Sequence, residues 1–114
     1  MRRITIILAA MLALYGTARA GAAAHPQRPV RLGLCAACHG EHGMARLPGV
    51  PNLAAQHYAY LLDAMHQYRD GRRDVAVMRA ALGPLGEAEL QALAHWYAAQ
   101  PPASPAPPAA GSSR

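Results

Sequence analysis

Apolar positions recur at helical spacing in two stretches of this 114-residue chain. In the first, Leu61, Met65 and Tyr68 fall at i, i+4 and i+7. This predicts a helix from about Leu53 or Gln56 to Arg69, with Gly71 as its stop. In the second, Leu90, Leu93, Ala94 and Tyr97 make one stripe from about Glu87 to Ala99. Glu87 and Glu89 suit the positive end of that helix, and Pro101 ends it. A short helix is expected to carry residues 35–39, and a loop punctuated by Gly43, Pro48 and Gly49 follows from Gly40 to Pro51. Arg72 to Leu85 shows no clear period, is read as a loop around Met78, and breaks at Gly83-Pro84. No stretch alternates as a strand does and none repeats, so the pattern predicts an all-α chain with three main helices.

The ends read differently. Met1-Arg2-Arg3 precedes an apolar run from Ile4 to Tyr15, and Ala18-Arg19-Ala20 is a small-x-small sequence. This is the form of a bacterial secretory signal peptide cleaved near Ala20, with Ala24 as a second choice. The run falls short of the roughly 20 residues that an anchor needs to span a bilayer. Residues 21–29 are expected to be flexible, and the Pro/Ala-rich tail 101–114 cannot build a core and is expected to be disordered. One folded domain, 30–100, remains.

The candidate chemistry is Cys35-Ala36-Ala37-Cys38-His39. Two cysteines separated by two residues, with a histidine next, form the attachment site of a c-type haem. On one helical turn both thiols reach the two vinyl groups of one porphyrin, and the imidazole follows as proximal ligand. A Cys-x-x-Cys pair also serves as a redox dithiol, half of a zinc site or a structural disulfide. The chain has no third cysteine and no strand before the motif. Export agrees with haem attachment, which needs reduced thiols outside the cytoplasm. A domain this short is hard to stabilise by its own core, and a buried porphyrin would supply an apolar centre. The absence of phenylalanine points the same way.

Charge adds little. The formal +5 includes three arginines of the signal segment. Eight arginines then face six acids, and two haem propionates would bring the total near zero. Arg69, Arg72, Arg73 and Arg79 cluster, and are read as a solvated helix end rather than a docking patch. Nothing supports nucleic-acid binding.

From Leu34 to Gln100 the chain resembles the bacterial class I cytochromes c, the small periplasmic kind found as single-haem proteins and as halves of di-haem ones. The attachment motif with Gly40 carries the resemblance. So do Pro51-Asn52-Leu53-Ala54-Ala55-Gln56, similar to a Pro-x-Leu-Ala-Gly-Gln segment, then Tyr60-Leu61, Tyr68-Arg69-Asp70-Gly71, and the last helix with Trp96 and Tyr97. It implies a class I cytochrome c fold around one haem c bound through Cys35 and Cys38, with iron ligands His39 and Met78. Met78 stands seven residues before Leu85, where the family has its axial methionine; Met44 follows the motif too closely, and Met65 is read as core. His57 or His66 would give bis-histidine ligation instead. The resemblance also implies that the Pro51 carbonyl holds the other nitrogen of His39, and that Leu53, Tyr60, Leu61 and Tyr68 line the porphyrin. Either tyrosine hydroxyl could reach a propionate, and Trp96 and Tyr97 are expected to pack the last helix across the first. The chain departs from the family in its short approach to the motif, with Gly33 as the sole nearby glycine, and in Gly86 at a helix start where Ser or Asp is common.

The functional expectation is a non-enzymatic periplasmic electron carrier. Its partners would be redox proteins: a quinol-side donor or dehydrogenase, and a terminal oxidase or reductase. Haem-attachment machinery is a further partner, and membranes are met only through partners. The alternatives are a haem enzyme or gas-binding sensor with an open or His-ligated sixth site, and a dedicated relay subunit of a larger redox complex.

Overall fold

The computed structural model describes residues 24–104. The expected signal segment 1–20 lies outside the described residues, as do 21–23 and 105–114. Four helices follow one another: α1 Leu32–His39, α2 Tyr58–Arg69, α3 Ala76–Leu82 and α4 Glu87–Ala98. The described residues contain no strand.

The two periodic stretches are α2 and α4. Leu90, Leu93, Ala94 and Tyr97 are all buried, and they meet Leu32 of α1, Leu61 of α2, Leu82 of α3 and Leu85 in one core. Leu32, Leu82, Leu90 and Leu93 are enclosed almost completely, a burial worth about 1.5–3 kcal/mol per side chain. Helix α1 does not cross α4 on a glycine, because a Cβ at Gly33 would meet open space. Leu32 makes that contact instead, and Arg31 adds an ion pair to Glu89 at 3.0 Å.

Three local expectations change. Helix α2 starts at Tyr58, not at Leu53 or Gln56. Residues 54 and 55 form a turn in which Ala55 takes φ +58°, a left-handed conformation no helix can contain. Ala55 is held there by donating its N–H to the Tyr97 carbonyl at 3.1 Å. Met78 sits on α3 rather than in a loop. Ala, Met, Arg and Leu favour a helix there, but seven residues are too few for a period to register. At Gly86 the missing cap is supplied from inside the helix: the N–H of Gly86 donates to the Glu89 carboxylate at 2.9 Å. That bond first, and Arg31 second, hold the Glu89 carboxyl below its ordinary range.

A polar clamp joins the end of α2 to the start of α4. Arg69 donates to the Leu85 carbonyl at 3.2 Å and lies 3.6 Å from Glu87, whose carboxylate also meets His66 Nε2 at 2.9 Å. The hydrogen bond to His66 is the main cause that lowers the Glu87 pKa. A lowered carboxyl contributes stability above its unfolded value of about 4.3, and loses it as pH falls through the folded value. Glu87→Gln should therefore reduce the urea midpoint at neutral pH, with the difference from wild type shrinking progressively as pH falls below about 4.3. At Ala55, replacement by glycine removes the left-handed penalty. Ala55→Gly should raise stability by about 1 kcal/mol in urea titrations, the net of that relief and the greater freedom of unfolded glycine.

Candidate functional site

The attachment motif occupies the last turns of α1, which ends where Gly40 turns to φ +78°. A Cβ at Gly40 would strike the Met44 carbonyl, so this position needs glycine for space as well as conformation. The loop then folds back on itself. The Gly43 carbonyl accepts the N–H groups of Leu53 at 2.8 Å and Ala54 at 3.1 Å. Asn52 Oδ1 accepts the N–H of Ala45 at 2.8 Å. These bonds carry Pro51 under the histidine. His39 is buried, and its Nδ1 lies 2.9 Å from the Pro51 carbonyl oxygen. A carbonyl only accepts, so Nδ1 carries the proton and Nε2 keeps its lone pair for a metal.

Helix α4 closes the far side of this loop. Tyr97 donates its hydroxyl to the Gly40 carbonyl at 3.1 Å, and Trp96 Nε1 donates to the Glu41 carbonyl at 2.7 Å. His42 Nδ1 meets Gln100 Oε1 at 2.9 Å. The expected packing of Trp96 and Tyr97 across the first helix is thus made on the residues just after it.

A cavity of about 500 Å³ opens beside the motif. Cys35, Cys38, His39, Pro51, Leu53, Tyr60, Leu61, Tyr68 and Met78 all line it, so the structure brings every predicted site residue to one place. Much of the remaining wall is core: Leu82, Leu85, Leu93, Ala94 and Tyr97. Met65, read from the sequence as core, also lines it. Met44 is exposed and lies elsewhere. Of the histidines, His39 alone lines the cavity among the described residues. His66 is held by Glu87, His42 by Gln100, and His95 stacks on Tyr58 with ring centroids 4.1 Å apart.

Arg73 is among the lining residues that sequence reasoning missed, having grouped it with a solvated helix end. Its guanidinium carbon sits 5.6 Å from the Tyr60 ring centre and 5.4 Å from that of Tyr68. Its Nε donates to Gln67 Oε1 at 2.9 Å. The hydroxyls of Tyr60 and then Tyr68 push its pKa above the ordinary arginine value. Two aromatic residues eight apart, on the cavity side of one helix and followed by Arg, were the available signal.

The other uses of Cys-x-x-Cys fit poorly. Burial pushes the Cys35 thiol up to about 11, the opposite of a reactive dithiol. Both cysteines are free thiols. The described residues hold no cluster of three or more His, Cys, Asp or Glu placed to bind a metal ion. Two thiols, one imidazole with a fixed tautomer, and thioethers in a largely apolar cavity are instead the donor set that haem c requires.

Comparison with known proteins agrees with this chemistry. The family model for cytochrome c matches residues 18–101. The chain is 38% identical over 101 residues to a cytochrome c4 of Pseudomonas aeruginosa, covering 88% of this chain and 49% of that protein. It is 37% identical over 115 residues to the thiosulfate dehydrogenase electron acceptor of Thiomonas intermedia, covering 99% of this chain and 51% of the relative. The chain thus spans about half the length of these relatives. A crystal structure of reduced recombinant cytochrome c4 from Pseudomonas stutzeri superposes with a TM-score of 0.52 at 30% identity, over 56% of this chain and 36% of the other.

The Tyr97 hydroxyl gives a test of how α4 holds the motif. Gly40 O also accepts the Gly43 N–H at 3.2 Å, so Tyr97→Phe leaves no orphaned carbonyl. The variant should lose about 1 kcal/mol, read as a lower urea midpoint at unchanged slope.

Proposed function

The chain belongs to the cytochrome c family, and from that premise we propose that it is a periplasmic carrier of single electrons whose haem iron is held by His39 and Met78. Haem c, attached through Cys35 and Cys38, supplies a one-electron ferric/ferrous couple when bound. The observation that carries the reading is one cavity lined by both thiols, by an imidazole anchored on the Pro51 carbonyl, and by the Met78 side chain.

Each residue has a defined task. The Pro51 carbonyl fixes the His39 tautomer and ring plane and makes Nε2 more basic. The Met78 thioether, a soft donor, favours ferrous iron more than a second imidazole would. With His39 and Met78 both engaged, the iron would have no position left for a substrate, which suits electron transfer and not catalysis. Leu53, Leu61, Leu82 and Leu85 keep water from the site, and Tyr60 and Tyr68 form part of the same wall.

The basic start, apolar run and Ala18-Arg19-Ala20 support export to the periplasm. No helix among the described residues is long and apolar enough to cross a membrane. The electron donor we propose is a periplasmic dehydrogenase or a quinol-side protein. One relative is itself named as the electron acceptor of a thiosulfate dehydrogenase. The electron acceptor would be a terminal oxidase or reductase. Met65 lines the same cavity and is the competing thioether.

The far-red sulfur-to-iron band of the ferric protein decides the ligand. It should be present in wild type, lost in Met78→Ala and retained in Met65→Leu. Loss in Met65→Leu alone would transfer the ligand role to Met65. Absence in wild type, with carbon monoxide binding to the reduced protein, would replace the carrier with a sensor or enzyme.

A further inference from the structure

The Pro51 carbonyl that meets His39 Nδ1 at 2.9 Å belongs to a peptide outside any helix. Pro51 has no N–H with which to fix its own place. Upstream, Arg46 to Val50 make only a local turn, in which Val50 donates to the Leu47 carbonyl at 3.3 Å. Downstream, Leu53 and Ala54 are anchored on the Gly43 carbonyl at 2.8 and 3.1 Å. Between that anchor and the Pro51 carbonyl stand the two rotatable backbone bonds of Asn52. The Asn52 side chain leaves from the carbon that joins those bonds. Its Oδ1 accepts the Ala45 N–H at 2.8 Å, which pins residue 52 across seven positions of the loop.

This bond is exposed. Water replaces an exposed hydrogen bond at little cost in stability. Water does not hold Asn52 at a fixed distance from Ala45, so what the bond supplies is orientation. A carbonyl aimed along the Nδ1–H bond makes the His39 imidazole a more basic ligand, and a more basic ligand favours ferric over ferrous iron. We propose that Asn52 is a positioning residue for electron transfer: by holding the Ala45 N–H it keeps the Pro51 carbonyl on His39, and through that bond it lowers the reduction potential. The inference rests on haem in this cavity with His39 as its ligand, and not on which thioether completes the iron.

The test uses the matured haem protein in three forms: wild type, Asn52→Ala and Asn52→Asp. Nuclear magnetic resonance of the reduced protein reads proton exchange with solvent, and redox titration reads the equilibrium with a reference mediator. In wild type the Ala45 amide should exchange at least about tenfold slower than an unprotected peptide amide. If it exchanges freely the tie does not exist and the proposal falls, whether or not the variants mature. Asn52→Ala should speed exchange of the His39 Nδ1 proton about tenfold and leave the amides of α4 unchanged. It should move the redox equilibrium about threefold toward the reduced form, ~28 mV for one electron. Asn52→Asp keeps an acceptor oxygen, so both protons should exchange within about twofold of the wild-type rates; its added charge acts on the potential separately. Either an unmoved Nδ1 proton or an unmoved potential in Asn52→Ala overturns the proposal. Faster exchange throughout α4 overturns it as well, because Asn52 is then a structural residue. So does an Asn52→Asp protein that exchanges like Asn52→Ala, because the acceptor oxygen is then irrelevant. The haem absorption and far-red bands of the same samples report separately on the carrier reading.

Discussion

The hydrophobic core and the cofactor cavity share one wall, and the rest of the structure depends on that sharing. Leu61, Leu82, Leu85, Leu93, Ala94 and Tyr97 belong to the core and line the cavity as well. A domain of this size gains only a marginal core from four short helices alone. Its apolar residues are therefore arranged in a shell, with Leu32 and Leu90 sealing the outer side. Affinity for the occupant and stability of the fold become one quantity, because the same side chains are covered by both.

The shell needs a rigid rim, and the loop between α1 and α2 provides it without regular structure. Its backbone groups are satisfied by a few multiply used carbonyls. Gly43 accepts two N–H groups, Gly40 accepts Gly43 and the Tyr97 hydroxyl, and Tyr97 in turn accepts Ala55. Tyr97 thus ties the end of the attachment motif to the segment that carries Pro51. Burial raises the pKa of its hydroxyl, which keeps it a neutral donor. This is how α4, the helix most distant in sequence from the cysteines, controls the geometry of His39. The left-handed Ala55 is the local cost of that closure.

Charge is distributed with the same economy. Most of the arginines meet acids across short gaps at the surface, where each pair contributes little to stability. What these pairs do is position backbone. Arg69 holds the carbonyl between α3 and α4, and Glu89 both caps α4 and meets α1 through Arg31. Arg73 stands apart because its neighbours are aromatic rings and an amide, which orient it without neutralising it.

Much of this protein was legible in its residues. The attachment motif specifies a covalent chemistry whose spacing is fixed by one helical turn. The stripes of α2 and α4 are long enough to reveal their period, and Gly71 and Pro101 end them for local steric reasons. The order of short segments around these points was enough for the fold class and for the cavity residues Pro51, Leu53, Tyr60, Leu61, Tyr68 and Met78. Other features depend on what lies opposite in space. Helix α3 is too short to show a period, and it forms because Leu82 is covered by the core. Met65 and Met78 look like a core residue and a ligand in sequence, yet both reach one cavity, since the inner face of a hollow core is also its binding surface. The short approach to the motif left the contact between the first and last helices in doubt, and Leu32 of α1 joins the core with α4 where Gly33 faces open space. Arg73 was indistinguishable from three neighbouring arginines, because only tertiary contacts decide which cation meets an acid at the surface and which is turned to the cavity over two aromatic rings.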